Sequence, residues 1–253
     1  MGRDKAWLPW RGQPMITHVV SILRPIVDEV VVVASDALEL PPLDARVVCD
    51  REPALGPLAG IREGLEQIRA DFAFVTGTDA PFLSPAFVTA LLACGCAVAP
   101  ELDGHVQTLA AVYPRSALER IDAMLAAGRA RPLRLLEELG YRKLSTEELH
   151  DPKSVRGFNT PDEYLEAVRE SEARATATLE FQGRARLAMG CSELEVPIGT
   201  LGDVLVPFQP SIAILDGDVI AKSFSISLNG HGLARSAAIP VGPGERICVL
   251  DTP

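Results

Sequence analysis

Short apolar runs rich in β-branched residues alternate with segments of helical spacing over about the first 170 residues. Val30 to Ala34 and Phe72 to Thr76 are two such runs, of the kind found in strands buried on both faces of a parallel sheet. Met15 to Leu23 and Pro57 to Ile68 have the helical period. The alternation predicts an α/β domain, with a Rossmann-like, mostly parallel sheet and helices on both faces.

The character of the chain changes near residue 175. Thr160 to Glu163 form a capping box that begins a helix, and beyond that helix short strands are separated by turn residues. One helix is predicted there, around Thr200 to Val206, and Asn229-Gly230 is a hairpin signal. We expect two domains, residues 1–174 and a small α+β domain of residues 175–253.

Composition limits the classes of partner. The formal net charge is −10, from 24 basic and 34 acidic residues, which argues against DNA or RNA as a ligand. The five cysteines form no disulfide framework or zinc spacing. No apolar run is long enough to cross a bilayer, and no signal peptide is recognisable. We expect a cytoplasmic protein that binds neither nucleic acid nor membrane.

A possible phosphate-binding segment, Gly2-Arg3-Asp4-Lys5, stands at the start of the chain. A lysine near a glycine-rich turn neutralises phosphate charge. Taken alone, this short motif is weak, and a solvated surface lysine is then the better interpretation of Lys5.

A second segment, from Asp50 to Gly60, follows a predicted strand. A carboxylate at Asp50 could accept both ring N1–H and exocyclic N2–H of guanine. Gly56 and Gly60 would let the backbone and a helix N-terminus approach a nucleotide closely. The alternative is an ordinary loop between a strand and a helix that starts at Pro57.

Two further candidate residues come later in the chain. Asp79 follows the Phe72 to Thr76 strand, at the strand end where ligands bind in open α/β sheets, and could hold Mg²⁺. The alternative is a turn aspartate that bonds to local backbone. In Gly157-Phe158-Asn159-Thr160-Pro161 the capping box explains Thr160, which leaves Asn159 as the candidate for ligand contact.

Together, the four segments resemble the molybdenum cofactor guanylyltransferases. The motifs of that family read (R)MGxDKA, GPLAG, Asp-x-Pro-Phe-Leu and N-x-N-T-P-[DE]. The corresponding segments here are Met1–Ala6, Gly56–Gly60, Asp79–Leu83 and Gly157–Asp162, in the same order. The resemblance covers about residues 1–170, and the chain departs from it at Gly157, where the family has its first Asn.

This resemblance implies transfer of GMP from GTP to Mo-molybdopterin, with release of pyrophosphate and with Mg²⁺ as cofactor. It implies that Lys5 binds phosphate, Asp50 reads guanine and Asp79 carries the metal, so that Lys5 and Asp79 are the catalytic residues. Asn159 would contact the pterin. Other molybdenum cofactor biosynthesis proteins or a recipient molybdoenzyme are the implied protein partners.

In the family, a buried strand and a Leu-Ala-Gly-Gly turn precede the first motif, whereas this chain matches only from Met1 onward. Without that strand, its neighbours would carry unpaired backbone groups and uncovered apolar faces. We therefore expect Met1 to be an internal methionine and the reading frame to extend upstream.

From about Ala177 the chain resembles two ubiquitin-like sulfur carriers. One is the small subunit of molybdopterin synthase, and the other is the carrier of thiamine synthesis. The matching features are Gly199 to Leu205, Asn229-Gly230 and Pro243 to Ile247, and they imply a β-grasp domain. Those carriers end in Gly-Gly, whereas this chain ends in Leu250 to Pro253. We therefore expect a docking or stabilising module that does not transfer sulfur.

Two alternatives to a guanylyltransferase remain open. One is a cytidylyltransferase that acts on the same pterin. The other, from a different class, is a catalytically impaired adaptor that binds a protein of molybdenum cofactor biosynthesis without turning over a nucleotide.

Overall fold

The computed structural model describes residues 2–149 and 151–252, so Met1, His150 and Pro253 lie outside the described residues. Contacts divide the chain into two compact units. The first, the composite unit, combines residues 1–15 with residues 158–253, and the second, the central unit, spans residues 16–157.

The composite unit begins with a short segment that carries the first motif. A 3-10 helix, Lys5–Trp7, is capped by Asp4, whose carboxylate accepts a hydrogen bond from the Ala6 amide. Two short strands, β1 (Pro9–Trp10) and β2 (Gln13–Pro14), follow as an antiparallel pair.

The first two helices of the central unit correspond closely to the predicted ones. Pro57 and Pro85 occupy first-turn positions, where a missing N–H costs nothing, and the Ser84 hydroxyl caps the helix that begins at Pro85. The helices are α1 (Met15–Leu23), α2 (Pro57–Gln67), α3 (Pro85–Leu92), α4 (Leu118–Ala126) and α5 (Pro132–Leu139), with 3-10 turns at Pro53–Leu55, Arg115–Ala117, Thr146–Glu148 and Pro152–Val155.

The strands of the central unit form two sheets, one of two parallel strands and one mixed. They are β3 (Val31–Ala34), β4 (Arg46–Cys49), β5 (Phe72–Thr76), β6 (Val98–Leu102), β7 (His105–Val106), β8 (Ala110–Pro114) and β9 (Arg142–Leu144). The strands β3 and β4 pair in parallel, as do β6 and β9, whereas β8 runs antiparallel to both β5 and β6. The sheet is therefore mixed, where a mostly parallel one was expected.

The length of one connection explains this difference. Only residues 103–109 separate β6 from β8. Parallel neighbours need a crossover of a dozen or more residues, but antiparallel neighbours need only a short turn. The β-branched pattern of these segments indicated strands but carried no information about their direction.

Helices cover both faces of the paired strands, as predicted. One apolar cluster joins α1 and α3 to Val98 and Val112, and a second joins α2, α4 and α5 to Ala99 and Ala111. Because successive residues of a strand point to opposite faces, these neighbours separate into the two clusters.

A cavity of about 1000 Å³ separates β3 from β5 within the central unit. Among the described strands, β3 pairs only with β4, and β5 pairs only with β8. The cavity walls are largely apolar, with residues of both strands and of the helices α1 and α2, including Val19, Leu23, Val31, Val33, Ile61, Leu65, Phe72 and Val75.

The rest of the composite unit contains one larger sheet. Its helices are α6 (Pro161–Ser171), α7 (Gly183–Met189) and α8 (Leu201–Leu205), with a 3-10 turn at Val206–Phe208. Its strands are β10 (Thr176–Phe181), β11 (Glu193–Pro197), β12 (Gly199–Thr200), β13 (Leu215–Asp216), β14 (Val219–Ile220), β15 (Phe224–Leu228), β16 (His231–Ala234), β17 (Pro240–Val241) and β18 (Arg246–Asp251).

Five of these strands form a continuous sheet in the order β11-β10-β18-β15-β16. The pair β10 and β18 is parallel, and the other neighbours are antiparallel. Asn229 and Gly230 have φ of +55° and +76° and turn β15 into β16, which confirms the predicted hairpin.

The prediction of a single helix beyond residue 175 was wrong, because α7 is a second one. It is short, its Leu187 is 83% exposed, and only Ala185 is buried. Its sequence therefore lacks the apolar stripe by which an amphipathic helix is recognised.

Candidate functional site

Asp79 lies in a tightly packed loop after β5. A Cβ atom added to Gly77 would stand 2.5 Å from Asp79 Oδ1, and one added to Gly157 would stand 2.8 Å from the Asp79 carbonyl oxygen. Real Cβ atoms do not approach other atoms this closely. Gly157, which faces backbone, therefore requires glycine, whereas a side chain at Gly77 would displace the Asp79 carboxylate from its present position. The departure from the family motif at Gly157 therefore has a steric reason.

Two buried polar side chains hold the segment that follows Asp79. In α1, His18 Nε2 lies 3.0 Å from the Pro81 carbonyl oxygen. Ser154, which is 1% exposed, donates from Oγ to the Phe82 carbonyl oxygen over 3.3 Å and accepts from the Ser84 amide over 3.1 Å. The Asp79 loop is thus fixed by side chains as well as by the strand before it.

Sequence reasoning missed both of these supports. Neither His18 nor Ser154 is among the candidate residues that the sequence indicates. Their partners are 63 and 72 residues away in the chain, so no local signal could have identified them.

Asp50 follows β4, and its loop is organised by local hydrogen bonds. The Asp50 amide donates to the Ala34 carbonyl oxygen over 2.7 Å, and Asp50 Oδ1 accepts from the Glu52 amide over 3.1 Å. This second bond is a turn interaction, as in the structural alternative for Asp50. It orients the half-buried carboxylate and occupies one of its oxygens.

The two glycines of the second motif differ in their surroundings. Gly56 precedes α2 with φ of +76°, a conformation that favours glycine. Gly60 lies within α2 beside the cavity, and an added Cβ would meet no atom within 4 Å. The fold therefore requires glycine at Gly56, whereas nothing in the described packing requires it at Gly60.

Lys5 and Asn159 are in contact within the composite unit. Lys5 Nζ donates to Asn159 Oδ1 over 2.9 Å and to the Phe158 carbonyl oxygen over 2.8 Å. The same ammonium lies 5.6 Å from the centre of the Phe158 ring. These contacts orient the cation of the first motif. They join Lys5 to residues that follow it by 153 and 154 positions in the sequence.

The backbone at Asn159 takes part in the capping box of α6, which confirms the predicted role of Thr160 and Glu163. The Asn159 and Thr160 amides donate to Glu163 Oε2 over 2.6 and 3.1 Å. These amides hold the pKa of the Glu163 carboxyl below its usual range, because they stabilise its charged form. The side chain of Asn159 is exposed.

The six predicted site residues thus fall into two groups. Lys5 and Asn159 contact each other in the composite unit, whereas Asp50, Gly56, Gly60 and Asp79 belong to the central unit.

Within residues 2–149 and 151–252, no group of three or more His, Cys, Asp and Glu side chains is arranged to hold a metal ion. A single carboxylate such as Asp79 suits Mg²⁺, which proteins often bind by one or two carboxylates together with substrate phosphates. No helix in the described ranges is both long and apolar enough to span a membrane.

Comparison with known sequences identifies relatives of the chain. The family model for the MobA-like NTP transferase domain matches residues 1–143. A probable molybdenum cofactor guanylyltransferase of Chloroflexus aggregans is 34% identical over 64% of this chain and 84% of its own length. One from Mycobacterium marinum is 36% identical over 67% and 87%.

Solved structures show the same fold. Molybdopterin-guanine dinucleotide biosynthesis protein A from Archaeoglobus fulgidus superposes with a TM-score of 0.57 and 24% identity, over 68% of this chain and 92% of its own. The 2-C-methyl-D-erythritol 4-phosphate cytidylyltransferase from Thermus thermophilus has a TM-score of 0.53 and 18% identity over 65% and 91%. The family model matches more than half of the residues of this chain, and the chain therefore belongs to the MobA-like NTP transferase domain family.

Proposed function

We propose that the chain transfers GMP from GTP to Mo-molybdopterin, forming the guanine dinucleotide cofactor. The observation that carries this proposal is the similarity of the chain to molybdenum cofactor guanylyltransferases. For three of these relatives the similarity covers at least 84% of their own length. In this reaction a phosphate oxygen of the pterin attacks the α-phosphorus of GTP. The bond to the β-phosphate breaks, and pyrophosphate leaves with the electron pair.

Asp79 is the proposed ligand of a divalent cation, Mg²⁺. When bound, this cation would neutralise charge on the reacting phosphates. The contribution of the protein is to fix the carboxylate. Gly77 and Gly157 pack against Asp79 without side chains, and His18 and Ser154 hold the backbone that follows. Such a fixed carboxylate needs no reorganisation when the substrate arrives.

Lys5 is the proposed phosphate-binding residue, and Asn159 the proposed pterin contact. The Lys5 ammonium is already oriented by the Phe158 carbonyl and the Asn159 side chain. Asp50 is the proposed reader of guanine, on the resemblance of its segment to the guanylyltransferase motif, and the Glu52 amide orients its carboxylate. Gly56 and Gly60 would let the backbone approach the nucleotide closely.

We further propose that the chain consists of two domains, residues 1–174 and 175–253. The second would be a β-grasp, ubiquitin-like domain. The strand order supports this, since the first two strands, β10 and β11, form an antiparallel pair and the last, β18, lies parallel to β10 in the middle of the sheet. A molybdenum cofactor biosynthesis protein or a recipient molybdoenzyme is the proposed class of protein partner.

The test is an assay with Mg²⁺, Mo-molybdopterin and either GTP or CTP, in which the dinucleotide product is separated and identified. We expect the guanine product, and expect Asp79→Asn to lower kcat by roughly 10²- to 10³-fold, since a charge that stabilises the transition state is lost. The matched control is Asp71→Asn, an exposed aspartate just before β5.

Three outcomes would contradict parts of this proposal. A cytosine product would identify a cytidylyltransferase. Full activity of Asp79→Asn would remove Asp79 from the metal site. No product, together with no increase in melting temperature on addition of GTP, would favour the adaptor, because a ligand that binds the native state raises that temperature.

A further inference from the structure

Arg3, two residues before Lys5, forms a buried ion pair with Glu245, the residue before β18. Arg3 Nη1 lies 2.8 Å from each oxygen of the Glu245 carboxylate. The Glu245 side chain is 1% exposed, and that of Arg3 is 17% exposed. Burial of a carboxylate is unfavourable unless its charge and its lone pairs find partners.

The other partners of Glu245 come from its own part of the composite unit. Asn229 Nδ2 donates to Oε1 over 3.1 Å, and the Gly242 amide donates to Oε2 over 2.8 Å. Arg3 Nη1 also donates to the Pro240 carbonyl oxygen over 3.2 Å. The carboxylate and the guanidinium are therefore each held by more than one bond.

The segment from Pro240 to Glu245, which includes β17, also contacts the chain on the other side of Lys5. The buried Tyr164 hydroxyl donates to the Pro9 carbonyl oxygen over 2.6 Å. A Cβ atom on Gly242 would lie 2.1 Å from that hydroxyl and 2.6 Å from Pro9 Cγ, so this contact depends on glycine. The segment thus contacts the chain on either side of the predicted phosphate-binding lysine, through the bonds of Arg3 on one side and through the packing of Gly242 against Pro9 and Tyr164 on the other.

We infer that the loop from Pro240 to Glu245 is a positioning element for Lys5, with Glu245 acting through Arg3. This inference rests on the proposed role of Lys5 in binding the triphosphate. Glu245 is a positioning residue, since it contacts Arg3 and not the nucleotide. The C-terminal part of the chain thereby acquires a function in nucleotide binding that does not depend on sulfur transfer.

The test compares Glu245→Gln with Glu180→Gln, which also removes a carboxylate paired with an arginine, Arg246. For Glu245→Gln we expect the KM for GTP to rise about tenfold while kcat stays within about twofold, because substrate binding is what is weakened. We also expect the amides of residues 2–8 to exchange hydrogen roughly tenfold faster, with those of β10 unchanged. Glu180→Gln should match the wild type in both measurements.

A second pair of variants covers the case in which Glu245→Gln does not fold. Arg3→Gln leaves Glu245 its bonds to Asn229 and Gly242, and Arg3→Lys keeps the charge. We expect the KM for GTP to be lowest in the wild type, intermediate in Arg3→Lys and highest in Arg3→Gln. A purely structural role would change the melting temperature without this order.

The outcomes separate the inference from the function on which it rests. A wild-type protein without GTP-dependent transfer overturns both. An active wild type with Arg3→Gln at the wild-type KM for GTP overturns the positioning role alone. Unchanged hydrogen exchange at residues 2–8 in Glu245→Gln also overturns it, whatever the activity.

Discussion

The apolar strands β18 and β5 differ in their neighbours. In the composite unit, β18 pairs with β10 on one side and β15 on the other, and its residues Ile247 and Val249 are fully buried. In the central unit, β5 pairs with β8, and its other edge faces the cavity. All five residues of β5 are only half-buried. Burial of a strand therefore depends on its neighbours as much as on its own apolar residues.

This difference bears on the proposed site. Asp79 follows β5, the strand with the open edge, but its loop is held by His18, Ser154 and the close packing at Gly77 and Gly157. Lys5, in contrast, donates to the Phe158 carbonyl oxygen and the Asn159 side chain, and Arg3, two residues before it, pairs with Glu245 beside the continuous sheet. The two proposed catalytic residues are thus held in place by different means.

The largest expected effect concerns a pair of glycines, one from each unit. Gly242→Ala should destabilise the composite unit by about 3 kcal/mol, since its Cβ would displace Tyr164 and Pro9. Gly64→Ala, in α2, should stabilise the central unit by about 0.5–1 kcal/mol, because alanine loses less backbone entropy on folding. Its Cβ would make only an ordinary contact, 3.6 Å from Val33 Cγ2.

Urea unfolding distinguishes these two effects. Both tryptophans, Trp7 and Trp10, belong to the composite unit, so their fluorescence reports on that unit, whereas far-ultraviolet circular dichroism reports on both. An unchanged fluorescence midpoint in Gly242→Ala would contradict the packing described at Tyr164.

Hydrogen exchange should reveal the open edge of β5. Successive amides of β5 point alternately to β8 and to the cavity, and those that face the cavity should exchange roughly a hundredfold faster than the amides of β18. The amides of β5 that bond to β8 are the internal control. Equal protection along the whole of β5 would mean that its second edge is paired in solution, and the contrast with β18 would then disappear.

Elements that depend on local sequence were predictable. The bounds of α1 and β5 and the Asn229-Gly230 hairpin agree with the sequence patterns, because neighbouring residues determine each of them. The direction of β8 and the helix α7 were not predicted. The first is set by the length of a connection between two strands, and the second has no apolar stripe.

The site shows the same limit. Sequence patterns indicated Lys5, Asp79 and Asn159 as candidates, but not which side chains would meet. The contact of Lys5 with Asn159 joins residues 154 positions apart, and that of Arg3 with Glu245 joins residues 242 positions apart. Such contacts arise from the packing of the whole unit, so a pattern over a few neighbouring residues cannot reveal them.

The smallest expected effect is a difference in acid sensitivity. The Ser84 hydroxyl caps α3 of the central unit, whereas the Glu163 carboxylate takes part in the capping box of α6 in the composite unit. The backbone amides of Asn159 and Thr160 lower the pKa of Glu163 in the folded protein. A carboxyl whose folded pKa is lowered contributes stability above its unfolded pKa, and this contribution is lost as the pH falls through the folded value.

Glu163→Gln should therefore reduce the stability of the composite unit at neutral pH by less than about 1 kcal/mol, because the residue is exposed and its charge is screened. Glutamine can still complete the capping box, so only the contribution of the charge is removed. The difference from the wild type should shrink as the pH falls through the lowered pKa of Glu163, as measured by urea unfolding with tryptophan fluorescence. Glu166→Gln, exposed on the same helix, is the control. A difference that persisted unchanged into acid would show that the carboxylate charge does not stabilise this cap.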